Sequence, residues 1–211
     1  QNIKNNLSGN YMLADDIEAQ ETKDWYDNKG FSPIGDSNDF FVGKFHGANH
    51  IINNLYINRP DQNYVGLFGE ILNSTVNNVG LVSSDIKAAS NVGSLVGIAF
   101  KSTVTGYNIG KVTGSDTVGG LVGEAHESTI TGYNTGDVSG NSQVGGLIGK
   151  GESLDVTGYH IGDVSGSDSV GGLVGRVELT SNVTGYNIGK VTGTGDYVGG
   201  LVGYDHGAFD L

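Results

Sequence analysis

The sequence contains no cysteine, which excludes disulfides, thiolate catalysis and cysteine-ligated metals. Only two prolines occur among 211 residues, Pro33 and Pro60, so nearly every residue can donate a backbone hydrogen bond. Basic residues are scarce, 11 against 23 acidic ones, and the net charge is −12. Such a chain repels polyanions, which argues against nucleic acid and anionic membrane surfaces as partners. No run of 18 apolar residues exists, so no membrane insertion is expected. The opening, QNIKNNLSGN, lacks a secretion signal, which leaves a cytosolic protein or a piece of a longer chain.

Glycine is what the chain has in excess: 37 residues. The collagen period of three is absent, and 36% hydrophobic residues argue against disorder. The glycines recur in a phrase. VGSLVG stands at 92–97, VGGLVG at 118–123, VGGLIG at 144–149, VGGLVG at 170–175 and again at 198–203, with a shorter VGLFG at 65–69. The opening valines are 26, 26, 26 and 28 residues apart. TGYN or TGYH at 105, 131, 157 and 184 keeps step, as does KVTG or DVSG at 111, 137, 163 and 190.

The unit is too short and too glycine-rich for helical repeats, and too short for a four-stranded propeller blade. At about 3.3 Å per residue it traces roughly 85 Å, one lap of a three-sided coil. The expected fold is all-β, a right-handed parallel β-helix (β-solenoid) of about 26-residue coils, the hand following from the crossover rule. Glycine should mark backbone bends or close approaches. Val118 and Leu121 differ in parity, so both point inward only if Gly119–Gly120 bends. Ile109 and Val112 are expected inside, flanking a corner at Gly110. Equivalent residues should form columns: Val104, Ile130, Val156, Val183; Leu121, Leu147, Leu173, Leu201; Tyr107, Tyr133, Tyr159, Tyr186; and Asn108, Asn134, His160, Asn187. A single lap cannot stand without neighbours.

Residues 1–60 read as irregular N-terminal coils and cap, with the capping segment within Asn10–Lys29; residues 61–211 read as regular coils of the same continuous domain. No cap is evident after the last repeat, so the natural chain is expected to continue past Leu211.

The string NYMLADDIEA…GFSPIG…FVGKFHGANHIINNLYINRP…YVGLFG, followed by the VGGLVG laps, resembles the GLUG-repeat region of filamentous-haemagglutinin-like bacterial surface adhesins. The resemblance covers almost the whole chain. It implies a secreted or surface-attached β-helix within a large exoprotein. Similar repeats accompany immunoglobulin-A-cleaving metallopeptidases outside their catalytic domain.

No residue earns nomination as catalytic, cofactor-binding or metal-binding. His126–Glu127 begins H-E-x-x-H, but Ile130 stands where the second histidine belongs. His46 and His50 lie in a glycine-containing turn. Arg59 and Arg176, the two arginines, have no acidic cluster beside them in sequence, as a polysaccharide lyase would need. The column Lys111, Asp137, Asp163, Lys190 reads as carboxylates compensated by flanking lysines, and Asp116, Asp168 and Asp196 as turn residues. Thr103, Thr105, Thr129 and Thr131 suggest an ice-binding ladder, but Asp155 and Asn182 interrupt it. The leading expectation is a non-enzymatic structural and adhesive segment, binding host-surface glycan or protein, or sister cells, through variable loops 124–128, 150–154 and 176–181. Alternatives are a non-catalytic accessory domain of a surface metallopeptidase and a glycan-active β-helix enzyme.

Overall fold

Alternating apolar residues and a fixed repeat place each lap directly on the previous one. In this computed structural model, which describes residues 2–207, Val104 pairs with Ile130, Ile130 with Val156, and Val156 with Val183. The pairing is parallel and keeps register. One regular coil runs through Thr103–Thr113 in a first sheet, Asp116–Gly119 in a second and Val122–His126 in a third. Among the described residues the second sheet stacks five strands and the third six. The protein is therefore an all-β solenoid, with two short 3-10 segments at Asn2–Asn5 and Gln20–Asp24. No helix among the described residues is long and apolar enough to cross a membrane.

The irregular first third stacks on the same sheets. Lys44–His46, Ile51–Asn53 and Tyr56–Arg59 pair with successive parts of the long strand Thr75–Ala88. Asn10–Met12 and Ile17–Glu18 stack in turn on that layer. Two carboxylates fasten them. Asp16 accepts the Ile51 N–H at 3.0 Å and contacts the His50 ring at 3.0 Å. Glu18 accepts the side-chain amides of Asn53 and Asn54. Phe41, Phe45 and Phe68 fill this end of the tube, with ring centres 4.8 and 5.3 Å apart. The C-terminal continuation inferred from the sequence lies outside the described residues.

Val118 and Leu121 are both fully buried, and the chain passes from the second sheet to the third between them. The glycines around them serve close approach. A Cβ on Gly119 would lie 2.8 Å from the Gly149 nitrogen of the next coil, and one on Gly149 only 2.5 Å from the Val118 nitrogen. The second sheet of one coil thus touches the third sheet of the next, backbone to backbone. A Cβ on Gly120 would collide with the Gly146 carbonyl oxygen and the Asn134 side-chain amide. Left-handed backbone conformation falls to other residues. Asn91, Thr117, Gln143 and Ser169 form one left-handed column, with φ of 53–56°. Lys101, Glu127 and Ser153 form another, with φ of 46–52°. Non-glycine residues seldom adopt this conformation, and a β-branched one such as Thr117 least of all. The stack holds them in it.

One expectation is corrected. Ile109 is not inside; it is 44% exposed, and Ile161 and Ile188 follow it outward. The strand Thr103–Thr113 runs straight through Gly110, so alternation puts Val104, Asn108 and Val112 inward and Ile109 outward. The residue that takes the interior place is polar. Asn108, Asn134 and His160 are all fully buried. Asn108 Nδ2 donates to the Gly110 carbonyl at 2.7 Å and to Asn134 Oδ1 at 2.8 Å; Asn134 Nδ2 repeats the first bond to Gly136. A buried amide is tolerated when its partners are supplied, and here its own strand and the coils on either side supply them.

A second polar column lies at the corner before the first sheet. Ser102 Oγ accepts the Ser74 N–H, and Ser128 Oγ the Ser102 N–H, each at 3.0 Å. Both serines also donate to a carbonyl two residues back.

Replacing Gly120 with alanine forces the coils apart and should cost about 1–3 kcal/mol. At the equivalent Gly200 an added Cβ meets nothing within 4 Å. Gly200→Ala should leave stability unchanged or raise it by up to ~1 kcal/mol, through lost freedom in the unfolded chain. Thermal unfolding of the two variants measures the contrast; equal losses would contradict the backbone-contact account.

Candidate functional site

The three segments that vary between coils are largely strand, not loop. Glu124–His126, Lys150–Glu152 and Arg176–Glu178 lie side by side in the third sheet. Each has one small or apolar residue facing inward between two outward polar ones. Only 127–128, 153–154 and 179–181 form the connecting turns.

Their outward side chains make a connected ion-pair ladder. Glu124 Oε1 meets His126 Nε2 at 3.1 Å and Lys150 Nζ at 3.3 Å. His126 Nδ1 lies 3.0 Å from Glu152 Oε2. Lys150 reaches Glu178 at 3.6 Å, and Arg176 pairs with Glu178 at 2.8 Å. The His126 ring stacks on Phe100 at 5.0 Å, and the Arg176 guanidinium lies 4.8 Å from the Tyr204 ring centre. The hydrogen bond to Glu124 raises the His126 imidazole above its ordinary value, against partial burial. Burial pushes the Glu124 carboxyl up, but His126 and Lys150 outweigh it and hold the acid below its usual value. Three carboxylates thus face two permanent cations and one imidazole. The ladder pairs its own charges and ties three coils together, although the buried Arg176 Nε has no hydrogen-bond partner among the described residues.

The outer face of the first sheet has a different character. Tyr107, Tyr133, Tyr159 and Tyr186 stack with ring centres 4.8, 4.9 and 5.1 Å apart and planes within 4°. Two residues before each stands a threonine, Thr105, Thr131, Thr157 or Thr184, in an unbroken column. The Thr103 column beside it changes to Asp155 and Asn182, as the sequence showed. A shallow groove of about 370 Å3 runs between tyrosines and threonines where Asn49 and Asn78 adjoin them. None of the four tyrosine hydroxyls has a hydrogen-bond partner among the described residues.

The remaining candidates resolve into structure. His46 and His50 do not converge: His46 pairs in register with Asn77, while His50 meets Asp16. His126 belongs to the ladder. Lysine compensation in the Asp137–Asp163 column is replaced by backbone bonding. Asp137 accepts the Asp163 N–H at 2.9 Å and Asp163 the Lys190 N–H at 3.0 Å, and no ion pair joins Lys111 or Lys190 to them among the described residues. Asp168 does the same for Asp196 one coil on, so its hydrogen bond is not local to its turn. No cluster of three metal-ligating side chains occurs among the described residues. An apolar cavity of about 200 Å3 lies at the N-terminal end, lined by Leu13, Ile17, Trp25, Phe31 and Leu55 among others.

No family model matches the chain. It is 34% identical over 115 residues to a halomucin of Haloquadratum walsbyi, a match covering 52% of this chain and 1% of that protein. It is 37% identical over 102 residues to a "putative Gly-rich membrane protein" of Evansella cellulosilytica, covering 46% of this chain and 12% of the relative. The chain thus spans a small fraction of either relative. Among solved structures, a crystal structure titled as a "putative immunoglobulin A1 protease" from Bacteroides ovatus superposes with a TM-score of 0.63. That match is 18% identical and covers 98% of this chain and 80% of the other, so the solenoid fold is shared.

His160 and His126 should give opposite pH signatures. Burial holds His160 below its ordinary value of 6.5. Below that pH the unfolded chain takes up a proton the folded one refuses, so stability falls with acidification. For His126, raised above 6.5, the contribution is complete below that pH and is lost as pH rises through the raised value. Unfolding midpoints between pH 5 and pH 8 should therefore show His160→Asn gaining most at the acid end. His126→Gln should lose most there. Parallel pH curves for both variants and the parent would contradict this assignment.

Proposed function

We propose that the chain is a non-catalytic structural and attachment segment of a large surface or secreted bacterial exoprotein. The observation that carries this reading is the in-register stack, which turns a 26-residue unit into a stiff tube with flat, repetitive faces. Such a tube spaces other regions of a long protein and presents its faces to many weak contacts at once. The matched relatives support it: both are far longer than this chain, and they are described as a halomucin and a "putative Gly-rich membrane protein". Attachment would be to glycan or protein on a host surface, or to sister cells. The ion-pair ladder on the third sheet stiffens the rod, and the first sheet supplies the contact face.

A second reading is a non-catalytic domain that positions substrate for a surface peptidase. It draws on the shared fold with the chain described as an immunoglobulin A1 protease.

Beads coated with the chain should adhere under flow to epithelial cells or bacterial cells above albumin-coated beads. Incubation with immunoglobulin A or with uronate polymers should yield no cleavage product. Adhesion no better than albumin would remove the attachment reading, and an unsaturated uronate product would establish an enzyme instead.

A further inference from the structure

The tyrosine column poses a chemical question that packing does not answer. Stacked rings hold successive coils together, at about 0.5–1.5 kcal/mol per aromatic pair. Phenylalanine would stack as well. The chain instead places a hydroxyl on every ring, and none of the four has a protein partner among the described residues. Two residues back, and roughly 6.6 Å away along the strand, the threonine column adds a second row of hydroxyls at the same step. Thr105, Thr131 and Thr157 likewise show no hydrogen bond of their side chains, and only Thr184 reaches a neighbour, Asn182 at 3.4 Å. The ring faces are covered by one another, so what the groove offers a ligand is ring edges and two parallel rows of hydroxyls.

We propose that the tyrosine–threonine face, of which the groove at Tyr107 and Tyr133 is one end, binds a linear, uncharged β-1,4-linked glycan lying along the solenoid axis, one sugar per coil. The step selects the polymer. Successive tyrosines are 4.8–5.1 Å apart. An extended peptide advances only about 3.3 Å per residue, and a nucleic acid strand about 3.4 Å per nucleotide in a duplex. Both lose register with the columns within two coils. An extended β-1,4 glycan advances by nearly the observed step and presents hydroxyls on both edges of a flat ribbon. Charge selects the uncharged form. The chain carries −12 overall, and Asp155 stands in the column beside the threonines, two residues before Thr157. A uronate or sulfated chain would be repelled. Each sugar gains only one or two hydrogen bonds, so affinity comes from the number of coils engaged.

This inference rests on the attachment reading and names its ligand. Titration calorimetry with cellohexaose and N-acetylchitohexaose tests it, and those two probes separate plain glucan from amino-sugar sources. Cellobiose, maltohexaose and C6-oxidised cellohexaose serve as controls for length, linkage and charge. The hexamers of one or both β-linked series should bind, cellobiose much more weakly, and the α-linked and oxidised chains not measurably. Tyr133→Phe with Tyr159→Phe keeps the stack and should weaken hexamer binding by about fivefold or more, with an unchanged unfolding midpoint. Thr131→Val with Thr157→Val should act alike. Absence of binding by either β-linked hexamer, equal binding of maltohexaose, or unchanged affinity in both double variants would overturn the proposal. If beads adhere to cells while neither hexamer binds, this inference fails and the attachment reading stands; if a hexamer binds but beads do not adhere, the reverse holds.

Discussion

Parallel in-register stacking makes each residue the neighbour of its own equivalent, about 4.8 Å away. Every side chain must therefore tolerate a copy of itself above and below. Leucine, valine, glycine, asparagine and tyrosine do so with ease. Apolar copies pack, glycine copies let backbones touch, amides bond to amides and rings stack. Charged copies repel when placed directly opposite. The molecule meets this constraint in two ways. Asp137 and Asp163 turn their carboxylates to the backbone N–H of the following coil. On the third sheet Glu124 is followed down its column by Lys150 and Arg176, and the like charges are offset across to the next column, where His126, Glu152 and Glu178 carry the opposite signs.

The same constraint explains why so much glycine yields an ordered structure. Glycine is costly in a strand because of its unfolded freedom. Here the glycines of the repeated phrase, Gly200 of the last coil excepted, occupy sites where a second backbone already stands. Gly119 and Gly149 approach across the seam between two sheets, and Gly120 leaves room for the Asn134 amide. The conformational demand falls on Thr117, Gln143 and their column-mates, which bend the second-sheet strands through the left-handed region without glycine's help. Close contact and backbone conformation are thus assigned to different columns. The seam is where loss of a glycine does most harm.

Most of the fold was legible because the constraint writes itself into the repeat. The period, the parallel stacking, the tyrosine column and the inward pairing of Val118 with Leu121 all follow from spacing and parity. Ile109 faces out because the strand forms no corner at Gly110; strict alternation from Val104 puts Asn108 inside and Ile109 out. The amide column was visible in sequence but not its burial, since asparagine inside a core is rare unless a neighbouring coil satisfies it. The segments at 124, 150 and 176 looked like loops because they differ between coils. Their E-A-H, K-G-E and R-V-E pattern, polar on either side of a small or apolar residue, was the available strand signal. The left-handed columns left no signal, because Asn91, Thr117, Gln143 and Ser169 share no chemistry that marks them.

Sameness from coil to coil has different causes on different surfaces. Inside the tube it is imposed by packing, since each layer must match the next in volume. Outside, no such demand exists, and the third sheet shows the result: its outward residues change with every coil and neutralise one another. The first sheet's outward tyrosines and threonines do not change across four coils, although solvent would accept many other residues there. Ring stacking accounts for the aromatic ring but not for its hydroxyl, and threonine's β-propensity accounts for a branched side chain but not for four identical ones. An exposed face that repeats itself at a fixed step matches an object that repeats at the same step, as a face that varies matches one that does not.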